Sequence, residues 1–285
     1  MIGADRRDVA LRAADRMPFL PLAFQQVVSL FATEGEDVSV AKLAGVIEQD
    51  VVMTGNLIAI ANSVLYGRIG SVCSLRQAIA RIGIHKTRNA LLGFSVLRSF
   101  RAIKFPRGWS LARFNDHSLA SAIFSDLLVQ KVHTKDAEWA FLGGLLHDIG
   151  LLLIATGLPE EAQFVSEAEN DYQLVERERK ILGFTHFEIG ASLLSRWRCP
   201  AIVQEASLFC QSNTFQYQSP LSLGMIVKSA SLLADANGFS LFGPQQNEEP
   251  AFGTHLLDAI SVQKPAIFLE AFQAEYSGLS ELACN

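Results

Sequence analysis

The sequence lacks several features that would place a protein outside the cytoplasm. Its four cysteines show no C-x-x-C spacing, which argues against zinc knuckles and redox dithiols. No segment reaches the roughly 20 apolar residues of a membrane span, because the longest apolar stretch, 143–158, is interrupted by His147 and Asp148. Residues 1–17 contain charges throughout and no continuous apolar core, unlike a secretory signal. These absences predict a cytoplasmic protein with reduced thiols and no membrane partner.

An excess of positive charge is also missing. The chain has 24 lysines and arginines against 29 aspartates and glutamates, a net charge of −5, which argues against a general affinity for nucleic acid. With 49% hydrophobic and 19% charged residues, the composition excludes a disordered or collagen-like chain. The 285 residues are enough for one large domain or two medium ones, at roughly 150 residues per domain.

Period-two alternation typical of strands is absent as well, whereas helical periodicity is found along most of the chain. We therefore predict an all-α, two-lobed protein. Pro106 suggests a boundary, with an N-terminal helical lobe over 1–104 and a second helical lobe over 105–285. The longer predicted segments are a nearly all-apolar buried helix over 51–63, helices over 110–132, 135–155, 160–181 and 265–276, and an exposed loop over 239–253.

One group of residues could support chemistry. His147 and Asp148 are adjacent, and Gly143, Gly144 and Gly150 surround them. Each glycine costs about 1 kcal/mol of helix propensity relative to alanine, so their clustering indicates close approach of a neighbouring helix or a ligand.

Two further histidines are candidates for the same site. His117 lies on the apolar stripe of the preceding predicted helix and so faces the core. His186 stands in the first turn of a helix that begins after Thr185, which forms a predicted capping box with Glu188. His117, His147, Asp148 and His186 are therefore the candidate metal ligands, and Asp148 is the candidate catalytic residue. The alternative is that they are core residues that hydrogen-bond to one another or to the backbone.

The run from Gly144 to Gly150 resembles the His-Asp signature of the HD superfamily of metal-dependent phosphohydrolases, and the rest of the chain is similar to its HDOD branch. The similarity covers about residues 18–236. The supporting motifs are Leu20-Pro21, Ala61-Asn62-Ser63 with Tyr66, Ser74, Ala78-Ile79, Ile82-Gly83, Glu176, Gly183, Thr185-His186, Gly190-Ala191, Trp197 and Pro200. The resemblance implies an all-α fold with an HD-like C-terminal lobe, and a signalling or regulatory role in bacteria.

Several ligands that the resemblance implies for a hydrolase are missing. The later aspartate should fall where this chain has Ser231, and Asp235 lies one turn further along. The paired histidines of two-metal relatives should lie near 208–211, where none is present, and Leu151 replaces a lysine that often follows the signature. We therefore expect a degenerate site that needs no cofactor, while binding of a single divalent ion stays open.

Three functions follow from the resemblance and these departures. The first is a non-catalytic regulatory module that binds another signalling protein, such as a cyclic-dinucleotide enzyme or a component of a kinase pathway. The second is a metal-dependent phosphohydrolase acting on a phosphodiester or nucleotide. The third is a sensor that binds a small ligand in the apolar remnant of the pocket.

Overall fold

The computed structural model describes residues 3–15, 17, 20–63, 66, 70–132, 134, 136–165, 167–212, 220–242, 262 and 265–283. All the regular elements within these ranges are helical, which confirms the all-α prediction. In chain order the α-helices are α1 (Gly3–Ala13), α2 (Leu22–Glu34), α3 (Val40–Ile47), α4 (Val51–Ala61), α5 (Leu75–Ile82), α6 (Ile84–Ser99), α7 (Leu111–Val129), α8 (Ala140–Leu146), α9 (Gly150–Gly157), α10 (Pro159–Val165), α11 (Asp171–Ile181), α12 (His186–Arg196), α13 (Ala201–Phe209), α14 (Leu223–Ala236) and α15 (Pro265–Ala283).

The helices form two units. The larger comprises residues 1–18 and 102–272, and the smaller comprises residues 19–101 and 273–285. The sequence-based division between 104 and 105 differs from this at both ends of the chain. Residues 1–18 group with the larger unit because α1 packs against α9 and α12. There Arg6 forms an ion pair of 3.3 Å with Glu161, and Arg196 pairs with Asp15.

Side-chain caps begin most helices of the smaller unit. Asp50 accepts a hydrogen bond of 2.9 Å from the backbone N–H of Met53 at the start of α4. The prediction that this helix is buried on all sides is wrong, because Val51 is 82% exposed. Its neighbours α3, α5 and α6 cover only the side that contains Met53 and Leu57.

The core of the larger unit is formed where α7 packs against α8 and α14, and where α12 packs against α9 and α13. Contrary to the sequence-based expectation, residues 137–157 are long and apolar enough to cross a membrane by length and composition, but 89% of their most apolar 18-residue window is buried inside the protein. Such burial is typical of helices in the core of a folded protein.

Two predicted helices of the larger unit are each divided in the structure. The segment 135–155 breaks at residues 147–149, where the N–H of Ile149 donates to Leu146 O at 3.1 Å and the N–H of Leu151 donates to Asp148 O at 2.9 Å. These bonds span three residues, as in a 3₁₀ turn, and such tightening within a helical stretch often marks a functional position. The segment 160–181 divides into α10 and α11, and Asn170 caps α11.

The C-terminal predictions are tested only in part. The last helix begins at Pro265, as predicted, and continues beyond residue 276 to Ala283. Of the predicted loop over 239–253, residues 243–253 lie outside the described residues.

Candidate functional site

The larger unit brings all four predicted residues together. His117 lies on α7, His147 and Asp148 lie in the turn between α8 and α9, and His186 is the first residue of α12. The capping box of Thr185 and Glu188 that begins α12 is present, with both reciprocal hydrogen bonds at 3.3 Å. It therefore helps to set the position of His186.

Two of the glycines around His147 and Asp148 allow neighbouring helices to approach. A Cβ atom on Gly144 would lie 2.5 Å from the carbonyl oxygen of Ser121 on α7. A Cβ atom on Gly150 would overlap the carbonyl oxygen of His186 and lie 2.9 Å from the backbone nitrogen of Gly190. Of the two explanations that the sequence left open for these glycines, the structure shows close helix packing.

The side chains converge on the Asp148 carboxylate. Asp148 Oδ2 lies 3.3 Å from His147 Nε2 and 3.5 Å from His117 Nε2, while Asp148 Oδ1 lies 3.3 Å from His186 Nε2. The Nε2 atoms of His117 and His147 are 3.4 Å apart. All four residues are buried, with exposed fractions between 1% and 3%.

The other ring nitrogen of each histidine is already bonded. The Nδ1 atom of His117 is 2.8 Å from the carbonyl oxygen of Phe239, and that of His147 is 2.8 Å from the carbonyl oxygen of Gly144. The Nδ1 atom of His186 is 2.8 Å from the carboxylate of Glu178. Because these oxygens can only accept, each Nδ1 atom carries a proton, and in its neutral form each ring would direct an Nε2 lone pair into the cluster.

Two of the three rings have a raised pKa, so their Nε2 atoms can also be protonated. Burial alone lowers the pKa of His117, but Asp235 and Asp148 raise it to about 9. Burial also lowers the pKa of His186, whereas Glu178 and Asp148 raise it to about 10. At neutral pH both rings are therefore imidazolium and donate toward Asp148 from Nε2.

The remaining two groups shift in the opposite direction. Burial lowers the pKa of His147, and the positive charge on His117 lowers it further. Burial raises the pKa of Asp148, but the surrounding His147 and His186 outweigh that effect and hold it below its usual value. The cluster thus consists of one carboxylate, one neutral imidazole and two imidazolium rings.

Glu178 is a member of the site that the sequence analysis missed. It is fully buried, its carboxylate accepts from His186 Nδ1, and it also accepts from the backbone N–H of His186 at 3.0 Å. The residues that support the family resemblance include Glu176 instead, and Glu176 is exposed. Helical spacing could have found the right residue, because Leu174, Glu178 and Leu182 recur every four residues on one buried face.

With this geometry established, comparison with known families decides the identity. The family model for the HDOD domain matches residues 17–212, which is more than half of the chain. The chain belongs to the HDOD family. The sequence resemblance is thereby confirmed, together with the fold that it implies.

Solved structures share the HDOD fold at low sequence identity. An HDOD domain protein of unknown function from Geobacter sulfurreducens is 18% identical, with a TM-score of 0.74 and 98% of both chains covered. A candidate signal transduction protein from Marinobacter aquaeolei VT8 is 19% identical, with a TM-score of 0.70, 99% of this chain and 66% of that one covered. A candidate phosphohydrolase from Shewanella amazonensis SB2B is 22% identical, with a TM-score of 0.69 and 96% and 98% covered.

A curated relative is considerably longer than the aligned region. An uncharacterized protein of Treponema pallidum (strain Nichols) is 24% identical over 200 residues, which are 67% of this chain and 37% of that protein. The HDOD chain therefore spans well under half the length of the curated relative that it matches.

Two polar residues of α14 lie on opposite sides of His117. Ser231 Oγ is 3.4 Å from His117 Nε2, so a hydroxyl occupies the place where the HD pattern implies an aspartate. Asp235 Oδ1 is 3.3 Å from His117 Nδ1 and has no hydrogen-bond partner among the described residues. Asp235 therefore lies behind His117 and faces away from the Nε2 cluster, which makes it unsuitable as a replacement ligand.

At the end of α13, where the resemblance implies paired histidines, the chain has a thiol instead. Cys210 is buried, its Sγ donates to Ala206 O at 3.3 Å, and burial raises its pKa. A protonated thiol is a poor metal ligand, because the thiolate is the form that binds. Nearby, Ser207 Oγ donates to the carbonyl oxygen of His147 at 2.8 Å, so this helix supports the cluster without adding a ligand.

The donors present fit one metal ion and not two. His117, His147 and Asp148 each offer a ligand atom, and these atoms all lie within 4.8 Å of one another. Histidines that bind metal usually donate their other N–H to a carbonyl or carboxylate, as the rings of His117, His147 and His186 do here. A two-metal centre needs additional carboxylate or imidazole ligands, and among the described residues Ser231 and Cys210 do not supply them.

Proposed function

We propose that this HDOD chain is a non-catalytic regulatory module, which acts in bacterial signal transduction by binding another signalling protein. The burial of the cluster is the main support, because His117, His147, Asp148 and His186 are each at most 3% exposed. Hydrolysis requires a phosphate group and a water molecule to approach the reacting groups within about 3 Å. Because the members of the cluster contact one another in the core, their burial among the described residues argues against such an approach.

The composition of the cluster supports the same conclusion. The imidazolium rings of His186 and His117 already face Asp148, so their positive charges compensate the negative charge of the carboxylate without a metal ion. The cluster joins α7, the turn before α9, and α12. Its role in this proposal is to hold these three segments together, as a satisfied polar network does in a core.

The partner and location remain proposals. The Marinobacter structure named as a candidate signal transduction protein favours a signalling role. A cyclic-dinucleotide enzyme or a component of a kinase pathway is the kind of partner that the family suggests. We further propose that the protein acts in the cytoplasm without nucleic acid or membrane.

A hydrolysis assay tests the proposal directly. The purified chain would be incubated with cyclic dinucleotides, nucleoside phosphates and bis(4-nitrophenyl) phosphate, in the presence of Mg²⁺, Mn²⁺, Fe²⁺ or Ni²⁺. We expect no more product than from the isosteric variant Asp148→Asn. Turnover that this substitution abolishes would refute the non-catalytic function.

The convergence of the Nε2 atoms favours a second candidate, a phosphohydrolase that uses a single metal ion. His117, His147 and Asp148 would hold the ion, and His186 is positioned to contribute. A bound divalent ion would polarise a phosphoryl oxygen and lower the pKa of bound water. The named Shewanella phosphohydrolase candidate is consistent with this chemistry.

Elemental analysis separates the two candidates when it is combined with the hydrolysis assay. The second candidate requires near-stoichiometric metal that is lost in His147→Ala, together with turnover. Metal without turnover would make the cluster a structural metal site and leave the non-catalytic proposal standing. Absence of metal, with a melting temperature that chelator does not change, would exclude the second candidate.

A further inference from the structure

A cavity of about 100 Å³ lies in the larger unit, close to the cluster but separate from it. Most of its wall is apolar and includes Phe114, Leu151, Ile154, Leu174 and Phe242. One water molecule requires about 10–15 Å³ of such space, so the cavity can accept a group of roughly seven to ten non-hydrogen atoms. Its wall thus suits an aliphatic chain or a small aromatic ring.

The mouth of the cavity has a different character. Arg113 and Gly108 line it and are exposed, and Trp109 and Ser110 beside them are half-buried. The Ser110 oxygen accepts the N–H of Arg113 at 3.2 Å, which leaves the hydroxyl proton free to be donated. Among the described residues that line the cavity, none has a carboxylate. A group that enters here therefore meets a guanidinium and a hydroxyl donor, which together select an anionic acceptor.

We propose that this cavity binds a small amphipathic carboxylic acid. The hydrocarbon part lies against Leu151, Ile154 and Phe242, and the carboxylate pairs with the guanidinium of Arg113, whose planar donors match it in two hydrogen bonds. An aromatic wall is available at the entrance, where Trp109 stacks on Phe105 at 4.5 Å between ring centroids.

Two residues of the cavity wall are close in the chain to residues of the polar cluster. Phe114 lies one helical turn before His117 on α7, and the N–H of Leu151 donates to the carbonyl oxygen of Asp148. Leu151 stands where the family pattern implies a lysine, so the apolar wall includes a position that is charged in that pattern. Binding of such an acid does not require the protein to hydrolyse a substrate.

The experiment compares acids with their uncharged amides. Octanoate and 4-phenylbutyrate, each with the corresponding amide, would be titrated into the full chain by isothermal calorimetry, with intrinsic tryptophan fluorescence as a second signal. Arg113→Gln removes the charge and keeps much of the stem. Arg107→Gln is the matched control, because Arg107 is an exposed arginine of the same unit that does not line the cavity.

A cavity-filling variant tests the apolar part of the site. Ala155 is buried and lines the cavity, so Ala155→Leu should occupy the space without loss of thermal stability. We expect Arg113→Gln to weaken binding of the acids about tenfold, to leave the amides unchanged, and to differ clearly from Arg107→Gln. Ala155→Leu should abolish binding of acids and amides alike.

Three results would overturn the proposal. The first is no binding of either acid by the native chain at low millimolar concentration. The second is equal affinity for acid and amide. The third is acid binding that Arg113→Gln leaves unchanged, which remains decisive even if Ala155→Leu fails to fold.

Discussion

Replacement of Gly150 by alanine tests whether glycine in the His-Asp signature is needed for helix packing. An added Cβ would overlap the carbonyl oxygen of His186 and lie 2.9 Å from the nitrogen of Gly190. Both are backbone atoms of α12, so no side chain can rotate out of the way and the helix itself has to move. That shift would also displace His186 from Asp148, which it meets at 3.3 Å.

The expected loss can be estimated from two opposing contributions. Alanine improves helix propensity over glycine by about 1 kcal/mol, while overpacking in a core costs about 1–3 kcal/mol and sometimes more. Because the overlap involves backbone, we place the cost at or above the upper end and expect a net loss of about 2 kcal/mol or more. At 2–4 °C per kcal/mol, the melting temperature should fall by roughly 5 °C.

Two other glycines provide matched controls. Gly55 lies inside α4 with no atom within 4 Å of an added Cβ, so Gly55→Ala should raise stability by about 0.5–1 kcal/mol. Gly143 is intermediate, because its added Cβ would be too close to Val227 Cγ2, at 2.9 Å, but would meet Leu223 at an ordinary 3.8 Å, and the Val227 side chain can adjust. Urea denaturation followed by circular dichroism measures all three. Equal stability of Gly150→Ala and Gly55→Ala would refute the packing argument.

The remaining predictions concern a thiol and a missing ligand. Burial raises the pKa of Cys199 to about 12, so the unfolded chain ionises first as pH rises above roughly 8.5, and the folded state loses stability. Between pH 8 and 9.5 the ionisation of this thiol in the unfolded chain should lower the free energy of unfolding by about 1 kcal/mol. In Cys199→Val the loss of unfolding free energy over this pH range should be smaller by that amount. An unchanged loss would contradict the prediction. Ser231→Asp places a carboxylate where a hydroxyl lies 3.4 Å from His117 Nε2, and we expect Mn²⁺ to bind at least about tenfold tighter than to Ser231→Asn in calorimetric titrations. Equal affinities would show that this position does not face the ion site.

Local signals in the sequence predicted much of the site. The capping box at Thr185 and the position of His186 after it depend on residues close together in the chain. The apolar stripe that contains His117 likewise depends only on the spacing of residues along one face of one helix. These patterns placed His117 and His186 on the correct helices, whereas His147 and Asp148, predicted within one helix, lie in the turn between α8 and α9.

The features that the sequence did not reveal depend on contacts distant in the chain. The break at 147–149 falls inside the predicted helix 135–155, where no proline marks an end and the neighbouring glycines do not fix where the helix stops. Grouping of α1 with the larger unit depends on pairs such as Arg6 with Glu161, which are far apart in sequence. Glu178 was missed because a buried glutamate is unusual unless it is paired, and its partner His186 lies on another helix.

The cluster also shows why a His-Asp signature is weak evidence for hydrolysis. Removing one member of a buried ion pair costs about 3–5 kcal/mol, because the other charge loses its partner in the core. His186 lies between Asp148 and Glu178, so each of these side chains stabilises the charge of another. The same residues are therefore expected to stabilise the fold whether or not an ion binds. What distinguishes a hydrolase from a structural cluster is a donor beyond this closed set, and in the described part of the chain Ser231 occupies the position where that donor would stand.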